Sequence, residues 1–252
     1  LYFNESPEKL TIEQVNDYLY YCKHLNKTPS ESFFKHTIFG LRASYRVLGM
    51  EPKRVMLPQI KRDVSLPIIL NLTEVKDLIQ APKFLKHKLM IAMLYGCGLR
   101  SYELCNIKLQ DVDFERKTVY IKKQKGNYDR YVPLSIHLAR GLKKYIHSEN
   151  PITFLFNSQI SKDGLPRPIT TSSIQWTIKE ARGKINTKKK ITAHTLRHSY
   201  ATHLLEAGLN IVCLKELLGH AFIETTIRYL HIANYGSSKK FSPLDLLYQD
   251  NK

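Results

Sequence analysis

Apolar residues recur at intervals of three and four positions along most of the chain, and this spacing predicts helices. Near the amino end, Thr11 and Gln14 have the spacing of a capping box and open the first such segment. A second segment carries Pro29 at its first helical position and ends at Gly49. Residues 1–56 are therefore predicted to form a small helical domain.

A longer mixed segment follows, which we predict to be a second domain over residues 67–235. Its first helix starts with the capping pair Asn71 and Glu74. Two β-like segments flank Gly126-Asn127, an arrangement typical of a hairpin. Strands are expected at residues 119–123 and 130–134, and further helices at residues 84–95, 100–108, 135–147, 170–182, 195–207, 211–218 and 223–229. The predicted fold class is mainly α with a small antiparallel β-sheet, as a helical N-terminal domain plus a mixed α/β domain.

Two segments outside these domains differ in composition. Residues 57–66 contain a proline and mixed charges, which indicates a linker. Residues 236–252 begin with a polar, basic stretch and then restart a helical pattern. Phe241 and Leu244 make this tail too apolar to be solvated, so it is expected to pack on its own domain or on a neighbouring subunit. The sequence leaves both arrangements open.

The charge balance favours a nucleic-acid partner. The 252 residues include 39 Lys and Arg against 22 Asp and Glu, which gives a formal net charge of +17. Such a surplus suits a phosphate backbone, because each neutralised phosphate releases counterions. A membrane surface fits less well, since the chain shows no long apolar run, basic amphipathic helix or lipidation motif.

The four cysteines, Cys22, Cys97, Cys105 and Cys213, are far apart and form no CxxC pair. This spacing indicates neither a disulfide framework nor a zinc ribbon, and a reducing cytoplasm fits it. No signal peptide is visible. The chain starts at Leu1 rather than at a methionine, so the sequence leaves open whether a further amino-terminal segment precedes it.

One segment near the carboxyl end of the second domain carries side chains suited to attack on a phosphodiester. His194 and Arg197 lie three apart, a Leu-Gly-His ends at His220, and Tyr229 comes nine residues later. A guanidinium can hold phosphate oxygens, imidazoles can position protons, and a phenol can attack phosphorus. Position alone singles out Tyr229 among 15 tyrosines, and Tyr235 is its main rival.

Further charged candidates lie upstream of that segment. Arg100 stands in the run YGCGLRSYEL at a predicted helix N-terminus, where backbone N–H groups favour an anion. Glu103, one turn later, is the expected partner that orients a guanidinium. Lys125 lies at the predicted hairpin turn, with Lys122 and Lys123 as rivals. A surface salt bridge is the usual fate of an arginine, so these assignments depend on the whole set.

The order and spacing of these residues resemble the signature of the tyrosine recombinase (phage integrase) family. The YGCGLRSYEL run resembles the family's first arginine box, and residues 122–127 with the following RYVPL resemble its β-hairpin lysine motif. Motif support covers roughly residues 66–235, whereas the N-terminal segment is similar only in general pattern. The resemblance implies a helical core-DNA-binding (SAM-like) domain and a catalytic domain that together clamp duplex DNA.

The resemblance also implies a catalytic set, which is Arg100, Lys125, His194, Arg197, His220 and Tyr229. Arg100 and Arg197 would clamp the phosphate while His220 hydrogen-bonds a non-bridging oxygen. His194 would bind the phosphate or accept the nucleophile's proton. Tyr229 would attack to form a 3′-phosphotyrosine bond, and Lys125 would protonate the leaving 5′-oxygen.

No metal or cofactor is expected. His194 and His198 are four apart on one predicted helix, but the chain has no HExxH motif and no acidic third ligand at a suitable spacing. His198 is therefore interpreted as a residue that packs or caps within the site. Because a phosphotyrosine bond conserves the energy of the phosphodiester, the resemblance implies neither ATP nor a divalent metal.

The sequence thus predicts a cytoplasmic site-specific DNA recombinase that acts on double-stranded recombination sites as a homo-tetramer, through a Holliday junction. Two alternatives stay open. A type IB topoisomerase shares the phosphotyrosine chemistry, although the short hairpin and apolar tail argue mildly against it. A noncatalytic DNA-binding module is the other alternative, and the presence of all six catalytic candidates argues against it. The target sequence, spacer length and biological role are not determined by the sequence.

Overall fold

The structure is a computed structural model that describes residues 2–25, 31–50, 55, 66–122, 129–158, 166–230 and 232–233. The chain divides into two compact units, Leu1–Ser65 and Leu66–Lys252. The described residues are mostly helical, with one small antiparallel sheet in the second unit, so the predicted fold class is confirmed. In these described ranges, no helix is long and apolar enough to cross a membrane.

Several predicted features lie outside the described residues. They are nearly all of the linker, the hairpin tip at residues 123–128 and the tail at residues 236–252. The domain boundaries proposed from the sequence therefore stay predictions.

The first unit is built on α1 (Ile12–Leu25) and α2 (Glu31–Val47). The predicted capping box opens α1, since the Gln14 amide donates to Thr11 Oγ1 at 3.2 Å and the Thr11 amide donates to Gln14 Oε1 at 2.8 Å. The apolar faces of the two helices contribute to one buried cluster, Val15, Leu19, Phe34, Ile38, Tyr45 and Val55. Phe33, next to the buried Phe34, is 43% exposed, because one residue turns a helix by about 100°.

The second unit contains eight helices, three strands and a 3₁₀ turn in its described part. The helices are α3 (Leu72–Gln80), α4 (Leu85–Gly96), α5 (Ser101–Asn106), α6 (Ile136–Glu149), α7 (Thr171–Arg182), α8 (Ala193–Glu206), α9 (Ile211–Leu218) and α10 (Glu224–Ile227). The predicted helices are confirmed with small shifts at their ends. The last one is shorter than expected, because the chain turns again before Tyr229.

The sheet has the strand order β1-β2-β3, from β1 (Val112–Asp113), β2 (Thr118–Ile121) and β3 (Arg130–Pro133). β2 and β3 pair antiparallel, as the hairpin prediction requires, and Val119 lies opposite Val132. Alternate residues of each strand are buried. β1 was not predicted, since a two-residue strand is too short to show a period.

Two helices form the centre of the second unit. α4 is apolar on nearly all sides and packs against α3, α6, α7 and α8. α8 is buried along most of its length and passes from the main apolar cluster, at Leu196, to a second cluster around Tyr200 and Leu205. Tyr229 belongs to that second cluster. The sequence motifs that surround α8 are therefore attached to a rigid, buried element.

We predict that Gly98→Ala destabilises the second unit. Gly98 has a φ of +60°, and an added Cβ would lie 2.4 Å from the Tyr200 ring. The left-handed conformation alone costs an L-residue about 1–2 kcal/mol. With the clash, the free energy of unfolding should fall by about 2 kcal/mol or more, measured by urea and thermal unfolding.

Gly183→Ala is the matched control within the same unit. Gly183 has a φ of −64°, which any residue adopts, and an added Cβ would meet only the Glu180 carbonyl at 3.4 Å as its nearest neighbour. If both variants unfolded at the same urea concentration, the conformational requirement at Gly98 would be refuted.

Candidate active site

A single carboxylate, that of Glu103, lies at the centre of the site. α5 begins directly after Arg100, and Glu103 stands in its first turn, where Oε2 accepts the Arg100 backbone N–H at 2.8 Å. The Glu103 side chain is only 2% exposed. A buried carboxylate is stable only when it is paired and hydrogen-bonded. Three guanidinium groups supply that pairing.

Arg130 makes the most complete pairing with Glu103. Its Nη1 donates to Oε1 and its Nη2 to Oε2, both at 2.9 Å, in the bidentate geometry of strong charge-assisted hydrogen bonds. Its Nε donates to the Leu217 carbonyl at 2.7 Å. Sequence reasoning missed Arg130, although the alternation of β3 sets it on the same buried face as Val132. That inward-facing charge was the available signal.

Arg100 and Arg197 share the same carboxylate. Arg100 Nη1 donates to Glu103 Oε1 at 3.0 Å, and Arg197 Nη1 lies 3.7 Å from Oε2. Arg197 also donates to two carbonyls, that of Gly98 at 2.7 Å and that of Leu218. The Arg100 side chain is 26% exposed and that of Arg197 only 4%. Glu103 therefore contacts both predicted phosphate-binding arginines, in keeping with the orienting role expected for it.

The site carries an excess of positive charge. Burial alone would raise the pKa of Glu103, but the hydrogen bonds from Arg130 and Arg100 and the charge of Arg197 outweigh it and hold that pKa below 4.5. One ionised carboxylate thus faces three guanidinium groups. Such an arrangement favours an incoming anion.

The Leu-Gly-His run ends α9 and organises two of the arginines. Gly219 has a φ of +61°, so the chain leaves the helix through a left-handed turn. The carbonyls of Leu217 and Leu218 accept hydrogen bonds from Arg130 and Arg197 respectively. An added Cβ at Gly219 would lie 2.8 Å from Arg130 Nη1. Glycine is therefore required both by the turn and by the close approach of the guanidinium.

His220 contacts Arg197 directly. Its Nε2 lies 3.1 Å from Arg197 Nη2, and its Nδ1 lies 2.9 Å from Thr226 Oγ1. A guanidinium can only donate, so Nε2 accepts and the Nδ1–H donates to the threonine oxygen. Burial, together with the charges of Arg197 and Arg100, lowers the pKa of His220 to about 3. The ring is therefore neutral near neutral pH.

Tyr229 lies buried just after α10, with 2% of its surface exposed. Its hydroxyl lies 2.8 Å from Nδ1 of His198. Burial raises the pKa of Tyr229 above 10.0, and the charges of Arg197, Arg228 and Arg100 lower it only in part. The net shift is upward because loss of solvation outweighs the nearby positive charge.

His194 stands in the first turn of α8 and is exposed. Its ring centroid lies 6.2 Å from that of His198. Partial burial and the charges of Arg197 and Arg100 lower the pKa of His194. Among the described residues, no group of three or more His, Cys, Asp or Glu side chains could hold a metal ion.

Five of the six predicted catalytic residues fall within the described part of the chain, whereas Lys125 and the rival nucleophile Tyr235 lie outside it. The structure joins Arg100, Arg197 and His220 in one hydrogen-bonded group around the central carboxylate. The arrangement offers donors for an anion, and the protonated phenol of Tyr229, which follows α10, is held by a hydrogen bond to His198 on α8.

Comparison with known proteins gives one consistent family. The phage integrase family model matches residues 69–235. A tyrosine recombinase of Thermosipho africanus is 37% identical over 233 residues, which are 91% of this chain and 74% of the relative. The tyrosine recombinase XerA of Pyrococcus horikoshii is 35% identical over 199 residues, which are 77% of this chain and 67% of the relative.

Solved structures agree with this result. The crystal structure of XerA recombinase superposes with a TM-score of 0.60 and 28% identity, over 91% of this chain and 81% of that one. The Tn1549 transposon integrase in complex with transposon right end DNA gives a TM-score of 0.69 at 20% identity, over 88% of this chain and 81% of that one. At that identity the second match shows the shared fold alone.

We predict that Glu103→Gln destabilises the second unit at neutral pH. The change removes the charge that compensates Arg130 and Arg197, and breaking such a buried pair costs about 3 kcal/mol or more. Because the folded pKa of Glu103 is held below its unfolded value, its stabilisation is present above about pH 4.5 and is lost as the pH falls through the folded pKa. The difference in unfolding free energy between wild type and Glu103→Gln should therefore become smaller in acid, as measured by urea unfolding across a pH series.

Glu180→Gln provides the control. Glu180 pairs with Lys184 on the surface, with 32% of its side chain exposed, so its loss should change the unfolding free energy by less than about 1 kcal/mol. A gap between wild type and Glu103→Gln that stayed constant into acid would mean that the carboxylate charge does not stabilise the site.

Proposed function

The chain belongs to the phage integrase family and is a tyrosine-type site-specific recombinase, and we propose that it cleaves and rejoins DNA through a 3′-phosphotyrosine intermediate. The observation that carries this proposal is the arginine group around Glu103. It is a preformed anion site, and a buried tyrosine lies in the cluster packed against it. Preorganised donors of this kind act on charge that grows in a transition state.

The phosphate would bind where Arg100 is accessible. Arg100 and Arg197 can each direct guanidinium N–H groups at the non-bridging oxygens, which carry the developing negative charge. His194 would add a donor on one side. His220 would donate to a non-bridging oxygen once its Nε2 carries the proton and exchanges its contact with Arg197 for the phosphate. Glu103 and Arg130 would not touch the substrate; they would hold the two catalytic guanidinium groups in position.

The chemical step would exchange one phosphoester for another. The Tyr229 oxygen bonds to phosphorus, and the bond from phosphorus to the 5′-oxygen breaks. The leaving oxygen takes a proton from Lys125, and the 3′-phosphate stays on the tyrosine. A 5′-hydroxyl from a partner strand reverses the step, so no energy source is consumed.

The partner would be double-stranded DNA carrying recombination sites. The net charge of +17 supports this, as does the likeness to an integrase solved with transposon DNA. We propose that four copies assemble on paired sites and pass through a Holliday junction. Docking of the tail, residues 236–252, on a neighbouring copy belongs to this proposal.

We predict that Tyr229→Phe binds DNA as wild type does and forms no covalent adduct. Phenylalanine keeps the buried packing and removes only the nucleophilic oxygen. A suicide substrate, in which the cleaved strand cannot be rejoined, measures the adduct on a denaturing gel. Tyr200→Phe is the control, because Tyr200 is a buried tyrosine of the same cluster whose hydroxyl has no hydrogen-bond partner among the described residues.

An adduct that persists in Tyr229→Phe would refute this nucleophile and direct the same test to Tyr235. Relaxation of supercoiled DNA by the wild-type monomer without any exchange product would instead favour topoisomerase activity over recombination.

We predict that Lys125→Ala cuts the cleavage rate of ordinary DNA by about a hundredfold or more, because the 5′-oxygen then leaves without a proton. A substrate with sulfur at the bridging 5′-position should restore the rate, since a thiolate needs no proton. Lys122→Ala is the matched control, because Lys122 is a half-exposed lysine of the same hairpin that lies 3.7 Å from the buried carboxylate of Asp111. If the sulfur substrate rescued Lys122→Ala and not Lys125→Ala, the general acid would be Lys122 instead of Lys125.

A further inference from the structure

The hydroxyl of Tyr229 is hydrogen-bonded to His198, to which the proposed mechanism assigns no chemical role. His198 Nδ1 lies 2.8 Å from the hydroxyl oxygen, and the two rings are tilted at 51° with centroids 5.5 Å apart. Within the described part of the chain, this is the one hydrogen bond made by that hydroxyl. His198 follows Arg197 directly, so the helix that carries the phosphate clamp also carries the partner of the nucleophile.

The direction of this bond follows from burial. If the imidazole donated to the phenol oxygen, the phenolic O–H would be buried without an acceptor among the described residues, which is costly. The phenol therefore donates to Nδ1, and the other ring nitrogen of His198 carries the imidazole proton. The proton that Tyr229 must lose already points at His198.

The charges that face His198 explain why the proton stays on the phenol in the free protein. They belong to His194 and Arg197 on α8 and to Arg228 beside Tyr229. Burial and these groups lower the pKa of His198 to about 4, while burial raises that of Tyr229. Both groups are therefore neutral near neutral pH, and transfer of the proton is unfavourable.

A phosphate bound between Arg100 and Arg197 would change this balance. It brings negative charge to the guanidinium groups whose positive charge disfavours an imidazolium. The negative charge of the phosphate repels a free phenolate, whose charge stays on its oxygen. It favours a phenolate oxygen that is giving its electron pair to phosphorus. The site would thus become able to accept the proton only when its substrate is present.

We propose that His198 is the general base of strand cleavage and that the scissile phosphate activates it. This inference rests on the proposed phosphotyrosine mechanism. As the Tyr229 oxygen bonds to phosphorus, its proton passes to His198 Nδ1, and the leaving 5′-oxygen takes a separate proton from the general acid. In the rejoining step the imidazolium returns the proton to the tyrosine oxygen as the bond to phosphorus breaks. His194, which makes no such bond to Tyr229, is left to bind the phosphate.

The chain contains its own control for this proposal. His203, also on α8, is hydrogen-bonded through its Nδ1 to the hydroxyl of Tyr95, at 2.8 Å. The two histidine–tyrosine hydrogen bonds have the same length, and both histidines lie on α8. The two pairs differ in which tyrosine is bonded. His203→Asn therefore makes the equivalent change in a histidine–tyrosine pair that does not include the nucleophile.

The test compares His198→Asn with His203→Asn. Asparagine can still accept a hydrogen bond near the Nδ1 position and cannot take up a proton. Single-turnover cleavage is measured between about pH 6 and about pH 9 on a suicide substrate with bridging 5′-sulfur, so that only proton loss from the nucleophile is read. We expect His198→Asn to be slower by about a hundredfold or more at neutral pH. Its rate should climb about tenfold per pH unit as the phenolate forms, while the rate of His203→Asn stays as flat as that of wild type.

A ring-fluorinated tyrosine at position 229 supplies a rescue. Fluorination lowers the phenol pKa, so it should restore the rate of His198→Asn and change that of wild type little. The proposal is overturned if His198→Asn cleaves at the wild-type rate with no pH dependence. It is also overturned if the variant is slow but its rate changes neither with pH nor with fluorination of Tyr229, since His198 is then a packing residue.

A second measurement avoids substitution of His198. In a Tyr229→Phe protein, ring-nitrogen NMR follows protonation of His198 with and without bound DNA. We expect DNA to raise the pKa of His198, and an unchanged or lowered pKa would overturn activation by phosphate. A wild-type protein that forms no adduct with either substrate would instead refute the phosphotyrosine mechanism itself.

Discussion

The structure of the site depends on one buried carboxylate that three arginines share. Glu103 fixes Arg130 in a bidentate pair and holds Arg100 and Arg197 against their mutual repulsion. Without it, three like charges could not stay so close in a protein interior. The carboxylate neutralises only part of that charge, so the site is stable and still attracts an anion.

Burial and nearby charge also determine the protonation state of Tyr229, the proposed nucleophile, before substrate binds. Burial keeps Tyr229 protonated although the surrounding arginines favour its phenolate, and burial together with those arginines leaves its histidine partner uncharged. A tyrosine that ionised freely would be ready to react with any phosphodiester or electrophile that reached it. Under the proposed mechanism, the reactivity of Tyr229 would be tied to the anion bound by the arginines, which would link site recognition to bond cleavage.

Local patterns predicted the elements and the motifs, whereas long-range pairings were not predictable from them. Helix periodicity, the caps at Thr11 and Asn71 and the turn-flanked strands follow from local physics, and they are confirmed. The roles of Arg130 and His198 depend on contacts across 27 and 31 residues. The alternation of β3 indicates that Arg130 faces inward, but no local signal identifies its partner or singles out His198. The upward shift in the pKa of Tyr229 is likewise not predictable from local patterns, because burial is a tertiary property.

The carbonyl groups at the end of α9 also constrain when the site can exist. They bind Arg130 and Arg197 from elements made much earlier, across 87 and 21 residues, and Arg197 reaches back 99 residues to Gly98. Contacts this distant along the chain form late in folding. During synthesis the amino-terminal unit and most of the second unit emerge before these carbonyls do. A ribosome-bound or prematurely terminated chain can therefore carry much of the positive charge that attracts nucleic acid while lacking the geometry to cut it.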